Sequence, residues 1–147
     1  MGRPFVGPAG RLLDRALAEA GIDRRAVYVT NAVKHFKFVQ RGKRRLHQRP
    51  TAGEVKHYRW WLLKELELLK PRVIVALGAT AAMALAGTRL SIARNRGETV
   101  FGGVTGYVTV HPSYLLRLKD DARQDAYAAF VDDLRCIARL ARTAKAA

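Results

Sequence analysis

The sequence predicts an α/β fold, a three-layer sandwich around a central, mostly parallel sheet of about four strands. Amphipathic helical segments alternate along the chain with short apolar segments, which is the pattern of helices packed on both faces of a parallel sheet. The chain has 147 residues, with no internal repeat and no linker composition. We therefore expect residues 1–147 to form a single domain that is large enough to bury a core.

The first half of the chain predicts two helices and one strand. Residues 11–20 form a helix with one apolar face, and Gly21 caps its end. The β-branched residues 26–33 predict a buried strand that ends near Asn31. Residues 51–70 form the second helix, because Thr51 and Glu54 match a capping box and a proline follows the last turn.

The second half predicts further strands and helices in alternation. Residues 72–78 are apolar after the first and predict a central strand, and a helix of small residues, 79–86, follows before Gly87. Residues 99–101 and 106–111 predict shorter strands, and 112–117 a turn or the start of a helix. A last helix covers 120–141, with inward positions at Tyr127, Phe130, Val131, Leu134, Ile137 and Leu140.

Composition restricts the class of protein. The chain carries 27 Lys and Arg against 12 Asp and Glu, a net charge of +15, which favours a polyanionic partner, with nucleic acid ahead of an anionic membrane. The apolar fraction of 49% excludes a disordered polyelectrolyte. The sequence has no membrane-spanning apolar run and no signal-peptide pattern at its start. Cys136 is the single cysteine and predicts no internal disulfide, which favours a cytoplasmic protein. We also expect a monomer.

Much of the positive charge is concentrated between Lys34 and Arg49, and residues 41–50 hold five cations and His47. No hydrophobic period runs through them, which predicts an exposed loop rather than a helix or strand. Such a loop is compatible with a solvated basic surface or a nonspecific phosphate-binding patch. Alternatively, its arginines hold a nucleic-acid backbone while His47 performs chemistry.

Three polar sites lie where predicted strands end: Asn31, residues 78–80, and residues 111–113. Ligands bind at the carboxyl ends of strands in open α/β sheets. Asn31 offers a donor and an acceptor that match a base edge, or it bonds its own backbone in a turn. His111, held extended by Pro112, could donate to a developing negative charge, or it is a satisfied strand-end histidine.

Apolar residues at two places also have two interpretations. Phe5 lies in a loop punctuated by glycine and proline, and it either plugs the core or stacks on a flat ligand. Leu115 and Leu116 follow His111 and precede Arg117, which suits a wedge pushed into a base stack or ordinary core packing. The four histidines show no convincing metal spacing, and the sequence predicts no metal site.

Four segments in order resemble a known family. Residues 2–10 (GRPFVGPAG), 29–34 (VTNAVK) and 110–117 (VHPSYLLR) are similar to three motifs of the type-4 uracil-DNA glycosylases. Residues 42–47 (GKRRLH) resemble the signature loop of the UdgX subclass, which attaches covalently to DNA at the uracil site. The resemblance covers essentially the whole chain, and it implies a uracil-DNA glycosylase-like fold.

The resemblance also implies roles for individual residues. Phe5 would stack on a flipped uracil, Asn31 would read its polar edge, and His111 would stabilise the charge that develops on the leaving base. His47 would attack the sugar C1′ where a hydrolysing relative uses water. Leu115 or Leu116 would fill the gap in the base stack. The remaining residues implied to contact DNA are Lys43, Arg44, Arg45, Ser113 and Arg117.

Two features depart from the family pattern. The family has an upstream strand with a GExPG-type motif, and this chain starts just after that motif, as a truncated product or a relative that has lost it. The family also holds a 4Fe–4S cluster on four cysteines, two of them in that upstream part. The other two positions carry His35 and about Tyr58 here, so no cluster is expected unless missing cysteines are supplied. A sheet that lacks one strand is expected to expose an edge or an apolar gap.

The resemblance therefore implies a bacterial DNA repair protein whose partner is uracil-containing DNA, single-stranded or with a flipped base, and not a membrane. Its activity would be cleavage of the N-glycosidic bond followed by covalent trapping through His47. Two alternatives remain open at this point. The chain could bind uracil-containing or abasic DNA without chemistry, or it could be an ordinary hydrolysing glycosylase.

Overall fold

The computed structural model describes residues 7–30, 38–41, 44–47 and 52–144, with side chains for 7–30 and 59–144. A short 3-10 helix, Arg24–Ala26, follows the first helix. The helices are α1 (Pro8–Glu19), α2 (Ala52–Leu69), α3 (Ala79–Ala86), α4 (Ile92–Asn95), α5 (Pro112–Arg117) and α6 (Asp120–Thr143). The strands are β1 (Phe38–Arg41), β2 (Arg44–His47), β3 (Ile74–Leu77), β4 (Gly97–Phe101) and β5 (Val104–Thr109).

The main sheet of the described chain has three strands in the order β3-β5-β4. Strand β3 pairs with β5 in parallel, from Ile74 opposite Gly106 to Leu77 opposite Thr109. Strands β4 and β5 form an antiparallel hairpin. Gly102 and Gly103, which join them, both have positive φ, the backbone that a tight two-residue hairpin turn requires. The α/β class is confirmed, and the described part of the main sheet has three strands where about four were expected.

Helices cover both faces of this sheet. On one face, α1, α5 and α6 bury a cluster built around Leu13, Leu115, Phe130 and Leu134. On the other face, α2 and α3 bury a cluster that includes Leu62, Leu85 and Val108. Alternate residues of β3 supply the two clusters, as the period-2 geometry of a strand demands. The three-layer arrangement follows directly from this alternation.

The last helix follows the expected pattern of burial. Phe130, Val131, Leu134 and Ile137 are buried, while Tyr127 and Leu140 pack against the same cluster at its margin. Cys136 also packs against this cluster, and its Sγ accepts a hydrogen bond from Arg139 at 3.0 Å. No helix in the described part of the chain is long and apolar enough to cross a bilayer.

The segment predicted as a strand at residues 26–33 is different in the structure. The Asp23 carboxylate accepts the Arg25 N–H at 2.9 Å and starts the 3-10 helix there. Residues 27–30 follow without strand pairing, and 31–33 lie outside the described residues. Val27 is extended, as the β-branched pattern predicts. A strand, however, also needs a partner to complete its ladder, and residues 27–30 do not pair with one.

The basic segment is also different from the predicted loop. Strands β1 and β2 form an antiparallel ribbon, with Phe38 opposite His47 and Val39 opposite Leu46. Only Gly42 and Lys43 separate the two strands, and a two-residue connection with a glycine is a strong hairpin signal. The sequence did not predict these strands because most of their residues are charged or polar, so the ribbon lacks the apolar alternation of a half-buried sheet.

Strand β3 is an edge strand, since no described strand pairs with its second edge. A cavity of about 1980 Å³ reaches this part of the sheet and is lined largely by apolar side chains. Val27 and Val29 line it from one side and Leu66 and Leu69 from another. Within the described residues, β3 is thus an edge strand beside a largely apolar cavity.

A partly buried carboxylate joins α6 to the sheet. Asp133, whose side chain is 14% exposed, accepts hydrogen bonds from Tyr107 Oη at 3.0 Å and Thr109 Oγ1 at 2.6 Å. Arg96 donates to it through Nε at 2.8 Å and forms an ion pair through Nη2 at 2.7 Å. Burial and the hydrogen bond to Asp133 raise the pKa of Tyr107 well above its ordinary value. Asp133 thus anchors β5 just before the strand reaches His111.

We expect Asp133→Ala to lower the free energy of unfolding by about 3 kcal/mol, because two hydroxyls and a guanidinium lose their acceptor. Urea denaturation would measure the loss. The matched control is Asp132→Ala on the same helix, where an exposed carboxylate pairs with Arg135. That change is expected to stay within about 0.5 kcal/mol. Equal effects of the two variants would contradict a structural role for the Asp133 contacts.

Candidate functional site

The carboxyl ends of β3 and β5 meet at one end of the cavity. Gly78, directly after β3, donates its N–H to the Thr109 carbonyl at 2.9 Å. This bond continues the parallel ladder by one residue and brings Gly78 against His111. Thr80, His111 and Ser113 line the cavity at this end. The structure therefore brings together two of the three strand-end sites that the sequence singles out, while Asn31 lies outside the described residues.

Gly78 leaves room for the imidazole-bearing residue. Its φ is +92°, a conformation that side chains rarely adopt, and it caps the start of α3. A Cβ at this position would lie 2.9 Å from the Cβ of His111, which is closer than carbon atoms normally approach. The glycine is therefore required by both its backbone and its neighbour.

We expect Gly78→Ala to displace His111 and to lower both stability and any activity that depends on this imidazole. The destabilisation should be about 1–3 kcal/mol, the range for a strained backbone conformation. Gly103→Ala is the control, since its φ is +84° and no atom lies within 4 Å of the added carbon. Thermal unfolding compares the stability of the two variants. The imidazole NMR shifts of His111 should move only in Gly78→Ala. An unmoved His111 signal would contradict the contact.

His111 is held by its own helix. It caps the start of α5, where its Nδ1 accepts the Ser113 backbone N–H at 3.1 Å and lies 2.8 Å from Ser113 Oγ. A backbone N–H can only donate, so Nδ1 must offer its lone pair. The proton of the neutral ring then lies on Nε2. Pro112, at the first helical position, has no N–H to compete for this cap.

Burial and a nearby positive charge favour the neutral form of this imidazole. His111 is half-buried, and burial, followed by the positive charge of Arg117, lowers the pKa of His111 below its ordinary value. A neutral imidazole with its proton on Nε2 is a hydrogen-bond donor that needs no prior protonation. Such a donor suits stabilisation of an oxygen that gains negative charge during a reaction.

The structure distinguishes the two adjacent leucines after His111 by their burial, which the sequence could not do. Leu115 is 0% exposed and belongs to the core cluster of α1, α5 and α6. A fully packed side chain cannot enter a base stack without unfolding its surroundings, so this burial favours Leu116 over Leu115 as the predicted wedge. Leu116 is half-buried, and Arg117 is exposed. Tyr114, which the sequence analysis missed, is 41% exposed and lines the same cavity.

Several predicted site residues cannot be placed on this geometry. Phe5, Asn31 and Lys43 lie outside the described residues. Arg44, Arg45 and His47 belong to β2, for which the structure describes the backbone alone. Their roles remain predictions from the sequence.

The residues of this sequence do not fit the iron–sulfur cluster that the resemblance implies for the family. Such a cluster is held by four thiolates, and the sequence contains one cysteine, Cys136. That cysteine lies on α6, packed against the core. Within the described side chains, no group of three or more His, Cys, Asp and Glu could hold a metal ion.

The fold and the site together define a class: an α/β domain whose ligand site lies at the carboxyl ends of adjacent parallel strands, with a neutral histidine as its polar group. Comparison with known proteins narrows the class. The family model of the uracil DNA glycosylase superfamily matches residues 1–135, and the chain belongs to this superfamily.

Relatives with curated names agree with this membership. The chain is similar to a type-4 uracil-DNA glycosylase of Thermotoga maritima, with 43% identity over 119 residues, covering 79% of this chain and 58% of the relative. A type-4 uracil-DNA glycosylase of Pyrobaculum aerophilum is 36% identical over 125 residues, covering 79% and 60%. A type-5 uracil-DNA glycosylase of the same organism is 39% identical over 98 residues, covering 65% and 40%. The chain thus spans no more than three fifths of these relatives' length.

Proposed function

We propose that this chain acts on uracil in DNA, cleaves the N-glycosidic bond and is then trapped on the DNA through His47. The observation that carries the proposal is the arrangement of His111. Its neutral ring is oriented by Ser113 at the carboxyl edge of the sheet, beside a cavity. Superfamily membership and the names of the relatives support the substrate class.

His111 would act on the leaving base. As the bond between C1′ and uracil N1 breaks, its electron pair passes to the base, and negative charge spreads to the ring oxygens. The Nε2–H of His111 would donate a hydrogen bond to one such oxygen and stabilise the transition state more than the bound substrate. A positively charged imidazole is not needed, which agrees with the lowered pKa of His111.

Recognition of the base rests on residues at other positions. A uracil inside a duplex must leave the stack before its glycosidic bond can be reached. Phe5 would stack on the flipped ring, and Asn31 would read its polar edge with one donor and one acceptor. Leu116, rather than Leu115, would occupy the space left in the duplex, because it is the leucine that is not buried in the core.

Phosphate contacts would come from two basic regions. Arg44 and Arg45 lie on β2 of the basic ribbon, and Lys43 precedes them in the sequence. Arg117 is exposed beside the His111 turn. Ser113 would add a polar contact near the same turn. The net charge of +15 supports this electrostatic attraction to a nucleic-acid backbone.

The trapping step would use the imidazole of His47 in its neutral form. Departure of uracil leaves positive charge at C1′, and a nitrogen lone pair of His47 would form a bond to that carbon. The proton on the other ring nitrogen would pass to water, and the leaving uracil anion would take up a proton. The similarity of residues 42–47 to the UdgX loop is the support for this step.

The test of the function is a count of products with excess uracil-containing oligonucleotide, with thymine in place of uracil as the control. One equivalent of free uracil together with a denaturant-resistant protein–DNA species is the expected result. Turnover past one equivalent without such a species would establish the hydrolysing alternative. Binding without release of uracil would establish a binding module. A monomeric cytoplasmic protein remains the prediction from the sequence.

A further inference from the structure

The turn between α5 and α6 is tied by one arginine. Arg123, in the first turn of α6, donates from Nη2 to the Leu116 carbonyl and from Nε to the Leu118 carbonyl, both at 2.9 Å. The last carbonyls of a helix have no partner within the helix. The planar guanidinium of Arg123 donates hydrogen bonds to two carbonyls of this turn at once, in a fixed geometry.

The core holds the same turn on either side of these carbonyls. Leu115 is fully buried, and Leu118 packs at the margin of the same cluster. Leu116, which is half-buried, and Arg117, which is exposed, lie between these two anchors. The chain then enters α6 through Asp120, whose φ of +46° is a strained conformation for a residue other than glycine. A strained connection needs contacts that hold it, and Arg123 provides two of them.

We infer that Arg123 is a positioning residue that fixes Leu116 for insertion into the DNA base stack. The inference rests on the proposed function, because Leu116 is the wedge only if the chain opens DNA at uracil. A wedge separates stacked bases only if its own backbone does not yield. The Arg123 fork braces the Leu116 carbonyl directly, so the force on the side chain passes into α6 rather than into a flexible turn.

Arg123 is exposed, and a second role as a phosphate contact would predict a different pattern of effects. Lysine keeps the charge but loses the planar fork that reaches two carbonyls. Arg123→Lys therefore separates the two roles, and Arg123→Gln removes both charge and fork. Arg139 is the matched control, since it is an exposed arginine farther along α6 that contacts the Cys136 Sγ instead.

The first measurement needs no DNA. Amide hydrogen exchange of residues 116–119 is expected to accelerate about fivefold in both Arg123→Lys and Arg123→Gln, because the turn opens more often without the fork. Arg139→Lys should leave this segment unchanged. Exchange in Arg123→Lys equal to that of the wild type would overturn the positioning role, whatever the DNA results.

The second measurement uses a duplex with one uracil opposite adenine and 2-aminopurine beside the uracil, whose fluorescence rises when the stack opens. Both Arg123 variants should open this duplex about fivefold less readily, which corresponds to about 1 kcal/mol. Anisotropy should give unchanged affinity for the single strand, which has no duplex stack to separate. An Arg123→Lys variant that opens the duplex like the wild type, or an equal loss on both substrates, would overturn the inference. A wild-type chain that binds neither substrate would overturn the proposed function itself, and the inference with it.

Discussion

His47→Ala is expected to remove the denaturant-resistant protein–DNA species completely. The imidazole is the proposed nucleophile, and alanine offers no atom that can bond to C1′. The measurement is a denaturing gel after the chain is mixed with uracil-containing oligonucleotide and boiled in detergent. Thymine in place of uracil should give no shifted band with either protein.

His57→Ala is the matched control, since it removes a histidine from α2 rather than from the ribbon. Its shifted band should equal that of the wild type. Free uracil should still be released by His47→Ala, because water can attack C1′ once the base has left. A shifted band of unchanged intensity in His47→Ala would show that another group makes the bond.

His111→Gln is expected to lower the rate of uracil release about 10²- to 10³-fold, the usual effect of removing one donor to a developing oxyanion. Glutamine reaches about as far as Nε2, but it has no ring nitrogen at the Nδ1 position to accept the Ser113 N–H, so its amide donor is not held in place. The measurement is the single-turnover rate of uracil release under excess protein. Affinity for the uncleaved oligonucleotide should change far less than the rate, since the lost hydrogen bond acts mainly in the transition state.

Ser113→Ala is the control for His111. It removes the hydroxyl 2.8 Å from Nδ1 but keeps the backbone N–H that orients the ring, so its rate should fall by less than about tenfold. A loss in Ser113→Ala as large as in His111→Gln would assign the chemistry to the hydroxyl instead.

The pH dependence of stability checks the same residue. The unfolded chain protonates His111 near pH 6.5 or so, whereas burial and Arg117 lower the pKa of His111 in the folded chain. Between these two values the unfolded state binds more protons, so this contribution is present above the unfolded pKa and is lost as pH falls through the folded pKa. His111→Gln should remove this part of the pH dependence, as measured by urea denaturation at several pH values.

The local sequence pattern was sufficient to predict most helices and the strands of the main sheet that they cover. The apolar run after Arg72 became β3, the small-residue segment became α3 with Gly87 as its left-handed cap, and the stripe of α6 became core. These elements follow from periodicity and caps, which depend on residues only a few positions apart. The site at His111 was likewise predictable, because a strand end followed by proline places the side chain at a sheet edge.

Features that depend on contacts between residues far apart in the sequence could not be predicted in this way. Asp133, Tyr107 and Thr109 form one partly buried network, and its only trace in the sequence is an acid three residues after the inward Phe130 and four before Ile137. Arg123 is likewise unremarkable until the fold places it against the Leu116 and Leu118 carbonyls. Burial also separated Leu115 from Leu116, adjacent residues of one type that no local pattern distinguishes.

The sequence by itself determined the α/β class, the superfamily motifs, the basic charge and the position of His111 at a strand end. Only the tertiary structure decided that residues 27–30 do not pair as a strand and that β3 is an edge beside an apolar cavity. It also decided that position 78 must lack a side chain, because His111 occupies the space where a Cβ would lie. The physical reason is that periodicity and capping are short-range properties of the chain. Pairing, burial and close approach depend instead on which distant segments are present to meet each other.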